Sequence, residues 1–126
     1  MTKTREIYRC SICGNIVEVL HEGAVLSCCG KPMELLKGNS TDGAYEKHVP
    51  VVEKVEGGFK VKVGAVEHPM TEEHYIQWVY VETENGGQRR AFRPGDTPEA
   101  TFCTGEDKPV AVYAYCNLHG LWKTEI

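Results

Sequence analysis

The residues of this chain best suited to chemistry are its cysteines and histidines, because thiolates and imidazoles bind transition metals. The chain of 126 residues has six cysteines and five histidines. Residues 1–9 are polar and lack the apolar segment typical of a signal peptide, so we expect a cytoplasmic protein. In a reducing compartment, clustered cysteines indicate metal ligands rather than disulfides.

Four of the cysteines form two pairs near the start of the chain. Two residues separate Cys10 from Cys13, and Cys28 and Cys29 follow after fourteen more residues. We expect the first pair to bind a metal within one turn, and a hairpin to return the second pair and complete four thiolates. A glycine follows each pair and lets the backbone turn so that N–H groups point at sulfur. The spacing leaves iron, structural zinc and, less favoured, two disulfides open.

A second ligand set is expected in the rest of the chain. It consists of His48, His68, His74, Cys116 and His119. Four imidazoles and one thiolate form a square pyramid, whereas structural zinc is tetrahedral. Nitrogen donors with one soft sulfur suit redox-active iron, and five protein ligands leave a sixth position open for a small molecule. A single histidine is more often solvated or packed than a ligand, and we interpret His21 in this way.

The elements that position these residues divide into two predicted domains, residues 1–37 and 38–126. The first is too short to bury a sufficient core without a metal. Within it, residues 16–21 and 25–28 flank a glycine-containing turn, which predicts a hairpin. Residues 38–43 are polar and have the composition of a linker.

The second domain is predicted to be an antiparallel β-sandwich. Residues 49–55 and 59–63 alternate around two glycines, and residues 76–84 and 88–92 do the same around Asn-Gly-Gly. Residues 110–115 form a further strand, and another begins at residue 121. No segment shows a helical period, so the predicted class is all-β.

The composition argues against two classes of partner. A net charge of −4, a pI near 5.7 and the absence of a Lys/Arg run disfavour a nucleic-acid surface. The short basic segment 88–90 is interpreted as a solvated strand end. No apolar run approaches the ~20 residues of a membrane span. We therefore expect neither nucleic acid nor a membrane as a partner.

Several segments carry a resemblance to known families. The CxxC and CC pairs are similar to desulforedoxin. Residues 46–50, 68–70, 74–76 and 116–122 resemble the catalytic domain of superoxide reductases. Together they resemble the two-iron superoxide reductases, the desulfoferrodoxin family, over essentially the whole chain and at every ligand position.

The resemblance implies two iron ions per chain. One is an Fe(Cys)4 centre at Cys10, Cys13, Cys28 and Cys29. The other is a ferrous centre with His48, His68, His74 and His119 equatorial and Cys116 axial. The implied fold is a short desulforedoxin-like domain followed by an immunoglobulin-like β-sandwich, and the implied assembly is a homodimer. The implied activity is the one-electron reduction of superoxide to hydrogen peroxide, a detoxification reaction in which a rubredoxin-type donor returns the electron.

Two charged residues precede the first histidine of the second set. By resemblance, Glu46 occupies the sixth position of the oxidised centre. Lys47 attracts the anion or organises a proton-donating water. The alternative interpretation is a solvated charge pair on a loop.

Other interpretations of the chain also stay open. It could be an electron carrier without catalytic function, or a zinc-ribbon interaction module joined to a β-sandwich. Cys103 matches no ligand position and is expected to be a buried free thiol. Four aromatic residues are expected in the sandwich core rather than as electron relays: Trp78, Tyr113, Tyr115 and Trp122.

Overall fold

The structure, a computed structural model, describes all 126 residues. The chain forms two compact units, Met1–Lys37 and Gly38–Ile126. Strands make up 45% of the residues and helix only 3%, which confirms the predicted all-β class. The one helix, α1 (Tyr45–His48), has four residues, and no helix is long and apolar enough to cross a membrane.

The first unit contains five short strands in two small sheets. The strands are β1 (Ile7–Arg9), β2 (Ile16–Glu18), β3 (Ser27–Cys28), β4 (Lys31–Pro32) and β5 (Glu34–Leu35). One sheet has the order β2-β1-β5, and β3 pairs with β4 in the other. Its buried apolar side chains are Ile7, Cys10 and Val19, which is a very small core.

The hairpin predicted between residues 16–21 and 25–28 is wrong. In the structure β2 pairs with β1, placing Val17 opposite Tyr8, and β3 pairs with β4, placing Cys28 opposite Lys31. Each cysteine pair therefore lies at the tip of its own tight hairpin. The alternation of apolar residues indicated strands correctly, but it contained no information about which partner each strand would choose.

The second unit is a sandwich of two antiparallel sheets. Its strands are β6 (Pro50–Val55), β7 (Gly58–Val63), β8 (Ile76–Thr83), β9 (Gly86–Ala91), β10 (Glu99–Cys103), β11 (Pro109–Cys116) and β12 (Gly120–Glu125). The sheets have the orders β10-β7-β6 and β12-β11-β8-β9. The predicted hairpins β6–β7 and β8–β9 are both formed. Strand β10 and helix α1 were not predicted; α1 has only four residues, too few to show a helical period.

The core lies between the two sheets and determines where one metal ligand points. On β7, alternate residues Phe59, Val61 and Val63 are buried, and on β11 the inward row ends in Cys116. Because side chains alternate along a strand, the same phase that buries Val112 and Ala114 turns the thiol of Cys116 inward at the strand end.

Three residues expected to be buried are more exposed than predicted: Cys103, Trp78 and Tyr113. In β10, Ala100 and Phe102 face inward, so Cys103 faces outward and is exposed rather than buried. Trp122 and Tyr115 are buried, as expected. Trp78 and Tyr113 are only half-buried, and the ring of Trp78 stacks on Tyr115 at a centroid distance of 5.5 Å.

Candidate metal centres

The four cysteines of the first unit converge on one point. They are Cys10, Cys13, Cys28 and Cys29, and their sulfurs lie within 4.8 Å of one another. The Sγ atoms of Cys13 and Cys28 are 3.6 Å apart, and those of Cys28 and Cys29 are 3.9 Å apart. A tetrahedral centre with metal–sulfur bonds of ~2.3 Å places its sulfurs ~3.8 Å apart. The four thiols therefore fit one tetrahedral metal ion.

Backbone turns hold these thiols and direct N–H groups at sulfur. The amides of Ile12 and Cys13 each donate to Cys10 Sγ at 3.4 Å. The side-chain amide of Asn15 donates to Cys28 Sγ at 3.7 Å, which links the two hairpins. Cys29 has a φ of 53°, a left-handed conformation unusual for a residue with a Cβ, and Gly30 after it has a φ of 74°. The sharp turn thus places two consecutive residues in the left-handed region.

The pKa values of these thiols indicate that the four cysteines need a cation to be deprotonated together. Hydrogen bonds from the backbone of Cys13 and Ile12 lower the pKa of Cys10 to about 6, so its thiolate is stable at neutral pH. Hydrogen bonding with Cys13, Cys28 and Cys10 raises the pKa of Cys29 to about 12. Four neighbouring thiolates repel one another, so a metal ion is needed to hold all of them deprotonated, and its binding releases protons.

The histidines of the second unit form a square. Centroids of neighbouring rings are 4.6 Å apart for His48–His68 and His68–His74, 5.0 Å for His74–His119 and 4.8 Å for His48–His119. The centroids of His48 and His74, across the diagonal, are 6.4 Å apart. Neighbouring rings are steeply inclined, with interplanar angles of 68–79°. Four rings arranged in this way match the four basal ligands that a square-pyramidal metal site requires.

The ring nitrogens converge at distances that fit one metal ion. His48 Nε2 lies 3.1 Å from His68 Nε2 and 3.1 Å from His119 Nδ1. Two ligands at right angles, with metal–nitrogen bonds of ~2.1 Å, lie ~3.0 Å apart. His74 Nε2 is buried and has no hydrogen-bond partner. A buried ring nitrogen without a partner is costly, and a metal ion would satisfy it.

Cys116 completes the second group. Its ligand atom and those of the four histidines lie within 4.8 Å of one another, and its Sγ is 3.8 Å from His119 Nδ1. Burial raises the pKa of this thiol, while hydrogen bonds from the amides of Leu118 and His119 act in the opposite direction. A bound cation would hold the buried sulfur as a thiolate, and the two amides would orient it.

Contacts around the histidines fix which nitrogen faces the centre. His48 Nδ1 bonds to the carbonyl of Ala44 at 2.7 Å, and His68 Nδ1 to the carbonyl of Pro69 at 2.6 Å. Both bonds leave Nε2 free to bind metal. Trp122 stacks on His48 at 4.9 Å, and its indole N–H donates to the carbonyl of His119 at 3.0 Å. One tryptophan thus contacts two ligands.

Burial keeps His48, His68 and His74 neutral by lowering their pKa values, and metal binding requires neutral imidazoles. Burial lowers the pKa of His68 to about 4 and lowers the pKa values of His48 and His74. The positive charge of Lys47 contributes to the lowered pKa values of His48 and His74. Lys47 is therefore close enough to act electrostatically on the centre.

Glu46 and Lys47 occupy exposed positions on α1, directly before His48. The loop after β7 holds this helix through backbone contacts, because the amide of Val66 donates to the carbonyl of Glu46 at 2.7 Å. The structure thus brings the nine predicted metal ligands into two groups, as the spacing suggested. Glu46 and Lys47 are not among the ligand atoms of the second group, and they directly precede its ligand His48 on α1.

These features define a class: a protein with a four-thiolate metal centre and a square histidine–cysteine metal centre. Comparison with known sequences agrees. The profile of the desulfoferrodoxin family matches residues 40–125, and that of the desulfoferrodoxin N-terminal domain matches residues 2–36. The chain therefore belongs to the desulfoferrodoxin family, as the resemblance indicated, and its two sites match the two-iron pattern of that family.

Individual relatives support this membership. The desulfoferrodoxin of Nitratidesulfovibrio vulgaris is 54% identical over 126 residues, covering 99% of both chains. The superoxide reductase of Pyrococcus abyssi is 39% identical and covers 69% of this chain and 91% of its own. The crystal structure of the superoxide reductase of Treponema pallidum has a TM-score of 0.78 at 37% identity, covering 96% of this chain and 100% of its own.

Proposed function

We propose that this chain is a superoxide reductase, which converts superoxide to hydrogen peroxide at the histidine–cysteine iron. The enzyme class is that of its family, since relatives in sequence and in structure are named superoxide reductase. The observation that supports the reaction best is the square of four imidazoles completed by one thiolate. Five protein ligands leave one position of a six-coordinate iron for a small anion.

This geometry supports a role for each ligand. His48, His68, His74 and His119 would hold the iron together with Cys116, which lies at the end of β11. Iron bound there would supply the single electron that superoxide accepts, and two protons would complete hydrogen peroxide. The buried thiolate of Cys116 would increase the electron density at such a metal and so favour donation of that electron.

Lys47 and Glu46 are proposed to act at the entrance to the site. The net charge of −4 repels superoxide, whereas the ammonium of Lys47, near His48 and His74, provides a local attraction. Lys47 would also orient a water that delivers protons. The carboxylate of Glu46, on the same helix turn, is proposed to bind the ferric state, because a hard oxygen ligand prefers the more highly charged ion.

The electron donor and the assembly are also part of the proposal. A rubredoxin-type carrier would return one electron per superoxide, and the four-thiolate centre would serve as a relay or as a structural element. A homodimer would cover exposed apolar side chains of the first unit, among them Leu20, 82% exposed, and Val25, 65% exposed. Thiolate ligands persist in reducing surroundings, which favours the cytoplasm.

One experiment tests the central assignment. Protein with two irons per chain is reduced and mixed with pulse-generated superoxide, while the visible spectrum, hydrogen peroxide and oxygen are followed. We expect the second centre to be oxidised, with one hydrogen peroxide formed per superoxide and no oxygen released. A reduced centre that does not respond to superoxide would instead identify an electron carrier. Oxygen released along with peroxide would identify a dismutase.

A further inference from the structure

Among the ligands of the second centre, His74 is held differently from His48 and His68. The rings of the latter two are oriented by hydrogen bonds from Nδ1 to backbone carbonyls. The ring of His74 makes no such hydrogen bond, and its buried Nε2, the nitrogen that would bind the metal, also has no partner. His74 also lies in an irregular loop before β8 rather than on a strand or helix. Its position must therefore be set by the backbone on either side of it.

Asn117 bonds to that backbone on both sides. Its side-chain Oδ1 accepts from the amide of Tyr75 at 2.9 Å, and its Nδ2 donates to the carbonyl of Glu73 at 2.9 Å. The backbone amide of Asn117 also donates to the carbonyl of Tyr75 at 3.3 Å. Three hydrogen bonds from one residue thus flank His74 without contacting its ring.

The other end of the His74 loop is closed by a separate turn. The amide of His74 donates to the carbonyl and the hydroxyl of Thr71, each at 3.2 Å, and the amide of Thr71 donates back to the carbonyl of His74 at 2.9 Å. This turn fixes the local shape of the loop. The bonds of Asn117 connect this loop to the turn after β11, which directly follows Cys116 and contains His119.

We infer that Asn117 is a positioning residue for the second metal centre, acting through His74. It lies between two ligands, Cys116 and His119, and bonds to the residues before and after a third. Three of the five ligands are thereby held in one rigid arrangement. This inference rests on the proposed metal site, and its test measures metal retention and backbone protection rather than turnover.

The experiment compares the two-iron parent with Asn117→Ala and Asn117→Asp. Residues that orient metal ligands typically contribute 10–100-fold in metal affinity, so we expect Asn117→Ala to lower the iron affinity of the second centre by about that factor. Iron loss to excess chelator reports this, with the visible band of the four-thiolate centre as an internal reference. Asn117→Asp keeps the acceptor for Tyr75 and loses the donor to Glu73, so its loss should be intermediate.

Hydrogen exchange gives a second readout, independent of iron. In metal-free protein, Asn117→Ala should remove the protection of the Tyr75 amide, measured by mass spectrometry on a peptide spanning residues 73–76. Asn39→Gly is the matched control, since Asn39 makes the same pair of side-chain bonds to the backbone of Lys123 and has a φ of 61° that glycine adopts easily. Asn39→Gly should leave the iron retention of the second centre and the exchange of the Tyr75 amide unchanged.

A double-mutant cycle with His74→Ala separates this role from a general structural one. If Asn117 acts through His74, adding Asn117→Ala to His74→Ala should accelerate iron loss no further. Additive effects, parent-like iron retention in Asn117→Ala, or unchanged exchange at Tyr75 would each overturn the inference. If Asn117→Ala does not fold, Asn117→Asp provides the test. Iron retention and Tyr75 amide exchange equal to those of the parent would refute the role of Asn117. Values between those of the parent and complete loss would support it.

Discussion

At the residue scale, the two ligand sets were predictable because each ligand is chemically distinctive. Cysteines separated by two residues indicate metal binding, and so do histidines grouped with a cysteine. Asn117 and Trp122 could not be found in this way. Asn117 acts by bonding to Glu73 and Tyr75, which lie 44 and 42 residues away in sequence. Trp122 acts by stacking on His48, and neither contact leaves a signal in residue type or spacing.

The axial role of Cys116 can be tested with a single atom change. Cys116→Ser replaces a soft thiolate with a hard oxygen that is neutral at pH 7, so we expect superoxide reduction to fall below detection even where iron stays bound. Iron content and the reaction with pulse-generated superoxide are measured on the same sample. Cys103→Ser is the control, since Cys103 is exposed and belongs to neither group. Near-parent turnover in iron-loaded Cys116→Ser would refute the axial assignment.

Lys47 is proposed to attract superoxide through its charge. Lys47→Ala should slow association by about tenfold, because a local charge at a site entrance raises encounter rates by at least that order. Raising ionic strength should slow the association of superoxide with the parent more than with the variant. Salt screens charges over a Debye length of about 10 Å at ~0.1 M, and the variant lacks the attraction of Lys47 that salt would screen. The measurement is stopped-flow reduction of superoxide at several salt concentrations.

Lys54→Ala is the matched control for this variant. Lys54 is an exposed lysine on β6, so its removal changes the net charge equally, and its charge is not among the causes of the lowered histidine pKa values. We expect the parent's rate and salt dependence from Lys54→Ala. If both variants behave alike, Lys47 acts only through net charge.

At the scale of elements, the sequence predicted strands better than their partners. The hairpins β6–β7 and β8–β9 were predictable because a two- or three-residue glycine turn folds the second strand directly back beside the first. In the first unit the strands are two or three residues long, so tertiary contacts decide the pairing. Helix α1 spans a single turn, too short for a helical period, yet it provides His48.

The position of α1 depends on close backbone contact with Gly64. A Cβ at Gly64 would lie 2.7 Å from the carbonyl oxygen of Glu46 and 2.9 Å from the carbonyl carbon of Lys47. Gly64→Ala should therefore push the helix, and His48 with it, out of place. We expect weaker iron binding at the second centre and a loss of about 1–3 kcal/mol in the free energy of unfolding.

Chelator competition and denaturant unfolding of the metal-free protein measure these two quantities. Gly86→Ala is the matched control in the same unit, since a Cβ at Gly86 would meet nothing within 4 Å. Unchanged iron retention in Gly64→Ala would mean that a displaced α1 still binds the metal. The position of His48 would then be set by the contacts of its ring alone.

At the scale of the whole molecule, the two units have separate means of stabilisation. The core cluster of the sandwich is built entirely from residues between Val52 and Cys116, and includes none from Met1–Lys37. The first unit has only a few buried apolar side chains and relies on its metal, as small domains commonly do. Loss of one centre should therefore leave the other in place.

Cys13→Ser tests this separation. Removing one of four thiolates should abolish the visible absorption of the first centre and destabilise Met1–Lys37, while the second iron remains bound. The reaction of the reduced second centre with superoxide should stay within about twofold of the parent, because none of its five ligands lies in the first unit. Cys116→Ser provides the reciprocal measurement, since it should leave the absorption of the first centre intact. A slowed reaction with superoxide in Cys13→Ser that retains its second iron would show that the four-thiolate centre supports the chemistry of the other unit. In that event the first iron would have a function in catalysis beyond stabilising its own fold.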